Sequence, residues 1–236
     1  MRNELHSVQP LPFLRLQAWL SPAFPTGSYS YSHGLEWAVE AGAVHDRTTL
    51  VDWLAADLRD GSGRNEAIFF REAWSSATLD DQPRLLEISE LAAAFRGTSE
   101  FALESAQQAS ACRSTLSQVW CDPLLDEVAK TLADRRIPVS LALVLGIRCA
   151  KQDIPMVLAL PAFLQSYIAN LVTAGVRLIP LGQTDGQAAI AALEDTVLAT
   201  SADAATATVD DLGSAAFMVD LASMAHETQY TRLFRS

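Results

Sequence analysis

Apolar residues recur every three to four positions along almost the whole chain, and no stretch sustains the strict alternation of a half-buried strand. That periodicity predicts an all-α fold. Tyr31, Leu35, Ala38 and Val39 form one stripe that ends near Gly42, and Leu50, Val51, Leu54 and Leu58 form the next, stopped at Gly61. Ala67, Phe70 and Trp74 make a third stripe, Ile88, Leu91, Ala92 and Phe95 a fourth, and Ala109, Cys112, Leu116 and Val119 a fifth. The pattern continues to the C-terminus without an internal repeat or a long linker. It predicts a single-domain bundle over 1–236 with about nine or ten helices.

Prolines and caps sharpen the boundaries. Asp122 ahead of Pro123 has the form of an N-cap followed by proline at the first helical position. Pro138 is expected to open a buried helix from Val139 to Cys149, and Asp153 with Pro155 a long one to about Leu178, with Pro161 as a kink point. After Pro180-Leu181-Gly182, Thr184 and Gln187 have capping-box spacing ahead of a helix carrying Ile190, Leu193 and Val197. A last helix is expected to begin near Asp210 and to carry Leu212, Phe217, Leu221 and Met224. Residues 1–9 read as a flexible N-terminus and 228–236 as a tail.

Charge and cysteine usage restrict the partners and the compartment. With 17 basic and 28 acidic residues the formal charge is −11, which repels phosphate backbones and anionic lipid, so neither nucleic acid nor a membrane is expected as a partner. The most apolar runs, Ile137–Ile147 and Ile154–Leu164, are each about half the roughly 20 residues that a bilayer-crossing helix needs, and they read as core helices. Cys112, Cys121 and Cys149 form an odd set without CxxC spacing, and no secretory signal precedes them. A cytoplasmic location with buried structural thiols is the expectation.

The best-marked catalytic patterns are missing: there is no GxxxxGK[ST] phosphate loop, no HExxH zinc helix and no GxSxG nucleophile elbow. His6, His33, His45 and His226 are unpaired in sequence, and Asp80-Asp81 and Asp210-Asp211 have the placement of helix caps. No catalytic residue, metal ligand or cofactor is therefore assigned. Two alternatives stand beside a scaffold: a helical-bundle enzyme whose site is assembled from scattered residues, and a general helical adaptor.

The stretch Leu-Ser-Pro-Ala-Phe-Pro-Thr-Gly-Ser-Tyr-Ser-Tyr-Ser-His-Gly-Leu-Glu, from Leu20 to Glu36, resembles the N-terminal signature of the UreF family of urease accessory proteins. Two further segments agree in the same order, Arg177 to Gln187 and the end from Ala222-Ser223-Met224 through His226 to Ser236. Ala225 departs from the pattern, since family tails often carry a basic residue there, and 80–132 matches only loosely, with Glu104-Ser105 its least generic part. The resemblance implies an all-α protein without enzymatic activity of its own, usually a homodimer, that binds the UreD (UreH) accessory protein. That pair recruits the nickel-carrying GTPase UreG against apo-urease, so that GTP hydrolysis is coupled to nickel insertion.

The residues expected to face such partners fall in three places. Pro22, Pro25 and Gly27 deny the chain a helix, which leaves Gly27, Ser28, Tyr29 and Ser30 as a loop before a helix starting near Ser30, with His33 as a surface or capping residue. Arg177 interrupts an apolar run and needs a carboxylate or carbonyls, within the fold or across a dimer interface. Tyr167 lies on the same helix, near its far side. In the tail, Arg232 and Arg235 flank Leu233 and Phe234 after a stretch, Leu181 to Thr231, with eight acidic residues and no lysine or arginine. Tyr230, Arg232, Leu233, Phe234 and Arg235 are the residue types of interface hot spots, and the tail is expected to order on a partner. Removing Tyr230 to Ser236 should then spare thermal stability while abolishing capture of the UreD-type protein.

Overall fold

In the computed structural model, which describes residues 9–236, eleven α-helices and two short 3-10 turns carry the chain, and no strand occurs among the described residues. The expected flexibility of 1–9 lies outside the described residues except at Gln9. The helices are α1 (Pro10–Leu20), α2 (Leu35–Glu40), α3 (Arg47–Asp60), α4 (Ser62–Thr78), α5 (Gln82–Ala94), α6 (Ser99–Val119), α7 (Pro123–Asp134), α8 (Leu141–Ala150), α9 (Met156–Leu178), α10 (Gln183–Thr206) and α11 (Phe217–His226). The helix beyond the expected ten is α1. It buries Leu16 and Trp19 and leaves Leu11, Phe13 and Leu14 outside, so it offers no clean core stripe to find.

At the centre lies α8, whose residues from Ala142 to Ala150 are all buried, the pattern of a helix with core on every side. It packs on α4, α6, α7 and α9. The closest approach is to α4, where a Cβ on Gly146 would stand 2.7 Å from the Phe70 carbonyl. Arg148 is also on α8, is 1% exposed, and pairs with Asp122 at 2.7 Å beneath the Trp19 ring. The other Asp122 oxygen caps α7 by accepting from the Leu125 amide at 3.1 Å, so one carboxylate serves both jobs.

Several boundaries move by a few residues for identifiable reasons. The N-cap of α8 is Ser140, whose hydroxyl accepts from the Leu143 amide, and Pro138 stays outside the helix. Ahead of α10 the reciprocal contact runs from the Gly182 amide to Asp185 at 3.3 Å, so Thr184 and Gln187 are not the capping pair. Asp153 has φ +52, a left-handed turn residue, and α9 begins after Pro155. No helix starts at Ser30. Ser28–Ser30 is a 3-10 turn, His33 and Gly34 take positive φ, and α2 begins at Leu35. The acidic pair before the last helix lies in the second 3-10 turn, Val209–Asp211, and α11 itself begins at Phe217.

Among the described residues α9 alone has the length and apolarity to cross a bilayer. In the bundle it packs on α10, α4, α2, α3 and α1, and only Val157 and Thr173 stand exposed along it. Cys112 and Cys149 are buried, and burial pushes both thiols up to about 12. Cys121 is exposed, so the expectation of buried thiols fails for that residue.

Candidate partner-binding site

Residues 20–36 cannot helicalise through Pro22 and Pro25, and Gly27 takes φ +75, a turn that glycine adopts without strain. The resulting loop is laid over the C-terminal half of α9. Asn170 donates to the Ser28 carbonyl at 3.2 Å and Arg177 to the Tyr29 carbonyl at 2.8 Å. The Arg177 guanidinium is also sandwiched, 3.9 Å from the centre of the Tyr29 ring and 4.2 Å from that of Phe234. Its need for carbonyl and π partners is met inside this chain.

Phe234 belongs to the tail, and the tail is folded down on its own protein. Phe234 is 4% exposed, the Arg235 amide donates to the Ser30 carbonyl at 2.8 Å, and the Ser32 amide donates to the Ser236 carbonyl at 2.7 Å. This corrects the expectation that the tail orders only on a partner. Tyr230 and Leu233 are the large hydrophobic side chains of the tail that still project into solvent, beside the exposed Arg232 and Arg235.

Three buried carboxylates hold the tail, and each is shared with a histidine or a helix neighbour. Glu36 accepts from the Leu233 amide at 2.6 Å, from the Phe234 amide at 2.9 Å, and from His226 Nε2 at 3.1 Å. Glu100 accepts from His226 Nδ1 at 2.8 Å and from Arg232 at 3.0 Å. Glu104 accepts from the Ser236 hydroxyl at 2.8 Å, from His33 Nδ1 at 3.3 Å and from Gln108 at 3.0 Å. His226 is fully buried, with a carboxylate oxygen within hydrogen-bond distance of each ring nitrogen. The two carboxylates sit on opposite sides of the ring and do not converge on a point. Among the described residues no group of three or more His, Cys, Asp or Glu side chains is placed to hold a metal ion.

Beneath the loop is a cavity of about 330 Å³, lined in part by Tyr29, His33, Glu66, Glu104, Tyr167 and Asn170. His33 is buried here, not on the surface as its sequence context suggested. It stacks on Phe101 at 3.9 Å, and its Nε2 has no protein partner. Tyr167 turns inward and donates to Asp57 at 2.7 Å, while Arg177 is engaged by the loop and tail, so the two α9 residues serve different neighbourhoods.

Burial opposes charge on His33, yet the Glu104 carboxylate, helped by Asp57 and Glu66, outweighs it and lifts the ring above its ordinary 6.5. Asp57 is also raised, by burial first, against the opposing pull of His33 and the Tyr167 hydroxyl. Tyr167 is held well above its ordinary range by burial and by Asp57, so the phenol keeps its proton and donates it. Both His33 and Asp57 hold protons more tightly folded than unfolded. The stability they contribute is complete below the unfolded values and is lost as pH rises through the folded ones. For His33 that window opens above 6.5. Unfolding free energy is expected to fall as the pH is raised from neutrality, by no more than about 1.4 kcal/mol per pH unit for one proton. Denaturant titrations from neutral to alkaline pH on the parent and on His33→Asn check this. The same slope in both would assign the loss to another group.

Of the residues singled out from sequence, Gly27 to Ser30, Arg177, Arg232, Leu233, Phe234 and Arg235 come together on one face. Tyr230 projects beside it and Tyr167 lies below it. Sequence reasoning missed Glu36, Glu100, Glu104 and His226 as the residues that hold this face together. The signal available was the pairing of buried acids in 36–104 with the two arginines and exposed amides of the tail, which no local pattern reveals.

A family model described as UreF matches residues 44–194. A protein of Bradyrhizobium sp. strain BTAi1 is 47% identical over 222 residues, covering 94% of this chain and 91% of the relative. One of Bradyrhizobium diazoefficiens is 46% identical over 234 residues, covering 99% and 96%, and one of Rhodopseudomonas palustris strain HaA2 is 43% identical over 232 residues, covering 98% and 97%. All three bear the name Urease accessory protein UreF.

Proposed function

Since this chain belongs to the UreF family of urease accessory proteins, helpers and not enzymes, we propose that it is a scaffold for nickel insertion into urease. In this reading it binds the UreD (UreH)-type accessory protein and recruits the nickel-carrying UreG-type GTPase. It holds both against apo-urease, so that GTP hydrolysis is coupled to nickel delivery. Nickel is cargo here, and this chain contributes shape and surface. Action as a single-domain homodimer in the cytoplasm completes the proposal.

The observation that carries the reading is the Arg177 sandwich, which fuses the Tyr29 loop and the Phe234 tail into one preformed surface. Order already present in the free chain lowers the entropy lost on binding, so a partner meets a rigid face. From that face Tyr230 and Leu233 project, an aromatic and an aliphatic anchor beside Arg232 and Arg235.

Tyr230→Ala combined with Leu233→Ala tests the reading at the two exposed side chains and leaves the Leu233 amide free to keep its bond to Glu36. The thermal midpoint should stay within about 2 °C of the parent, because surface changes away from such contacts are usually small. Capture of purified UreD-type protein, or of UreG-type GTPase by the preformed pair, should weaken by roughly tenfold or more. Undiminished capture of both by the double variant would remove this face from the assembly.

A further inference from the structure

The last helix is packed with its small side and exposes its large one. Val219, Ala222, Ser223 and His226 of α11 are buried, and the helix lies so close to α2 that a Cβ on Gly34 would stand 2.8 Å from the Ser223 amide nitrogen. Phe217, Met218, Leu221 and Met224 are 68%, 52%, 53% and 48% exposed. Phe217, Leu221 and Met224 follow at helical spacing, so they form one stripe, the residues that periodicity placed on the last helix. A contiguous run of large apolar side chains facing water marks an interaction surface, and its two methionines allow the stripe to adapt to what it meets.

Charge indicates what covers it. Asp220 lies on the same helix, Glu227 follows it, Asp210 and Asp211 precede it, and from Leu181 to Thr231 there is no lysine or arginine, although Arg64 reaches the segment at the Asp211 carbonyl. A second copy of the chain would set these acids against themselves in a molecule of formal charge −11. We infer that the outward face of α11 is a second docking surface, separate from the Tyr29–Phe234 face, for a protein presenting an apolar centre rimmed by lysine or arginine. This rests on the scaffold reading, in which more than one partner is held at once.

The test uses the full chain, with Leu221→Asp placing a charge inside the stripe and Asp220→Lys reversing the rim. Leu221 faces solvent, so the fold should persist, with an unchanged far-ultraviolet spectrum and thermal midpoint. The probes are the purified UreD-type protein, UreG-type GTPase and urease apoprotein, each alone and in combination. Against at least one of them, Leu221→Asp should weaken binding roughly tenfold or more. Asp220→Lys should weaken the same complex, and the parent's affinity should fall with added salt. Binding by Leu221→Asp equal to the parent's overturns the inference while leaving the scaffold reading intact. So does conversion of a parent dimer to monomer with partner binding unchanged, since the occupant would then be a second copy. Binding indifferent to salt and to Asp220→Lys removes the basic rim. If the parent captures none of the three, the scaffold reading fails and this surface fails with it.

Discussion

Glu36→Ala is expected to destabilise the protein by about 3–5 kcal/mol, the range for breaking a buried, hydrogen-bonded charge cluster by removing one partner. The carboxylate is shared by two tail amides and by His226, so its loss leaves two amides without an acceptor and a fully buried ring facing Glu100 alone. The tail should detach at the same time. Denaturant unfolding reads the first effect, and trypsin cleavage after Arg232 or amide exchange at Leu233 and Phe234 reads the second. Deletion of Tyr230 to Ser236 provides the comparison. Because Phe234 is buried against Arg177, that deletion should now lower stability as well as partner capture, in place of the unchanged stability that a free tail would give. Its cost should be smaller than that of Glu36→Ala, since Glu36 then regains water. A Glu36→Ala protein with native stability and a protected tail would show that the cluster does not hold the chain end.

Asp122→Ala should have an effect of similar size in the core. It removes the α7 cap, worth about 1 kcal/mol, and strands the Arg148 guanidinium in a site where it is 1% exposed. An uncompensated buried charge costs about 3–5 kcal/mol. For a chain of this length each kcal/mol moves the thermal midpoint by about 2–4 °C, so a drop of roughly 10 °C is expected. Adding Arg148→Met should restore a substantial part of it, because replacing a buried ion pair by apolar bulk is often close to neutral. If the double variant were as unstable as Asp122→Ala alone, the loss would come from the cap and from packing, not from the orphaned cation.

Much of the architecture was readable because helices advertise themselves locally. Asp122-Pro123 marks a boundary, Leu50 to Leu58 marks a buried face, and α8 is apolar on every side. What was not readable is whatever joins residues far apart in sequence. Glu36 and Phe234 are 198 positions apart, and nothing near either residue announces the other. For the same reason His33 passed for a surface residue: its surroundings are Phe101 and Glu104 of a helix that begins over sixty positions later. α11 is a different case. Its spacing was legible and its direction was not, because close approach to Gly34 admits Ala222 and Ser223 but not Leu221 or Met224, and periodicity cannot tell a core stripe from an interface stripe.

The contact between Ser32 and Ser236 joins positions 204 apart, and this has a consequence for synthesis. Chains emerge from the ribosome N-terminus first, at about 5–20 residues per second, and can begin folding as they do. The bundle around α4, α8 and α9 has its parts early, yet Glu36, Glu100 and Glu104 wait for residues 232–236 before the outer face exists. A nascent chain therefore presents no finished docking face, so assembly with other proteins is deferred until translation of those residues is done.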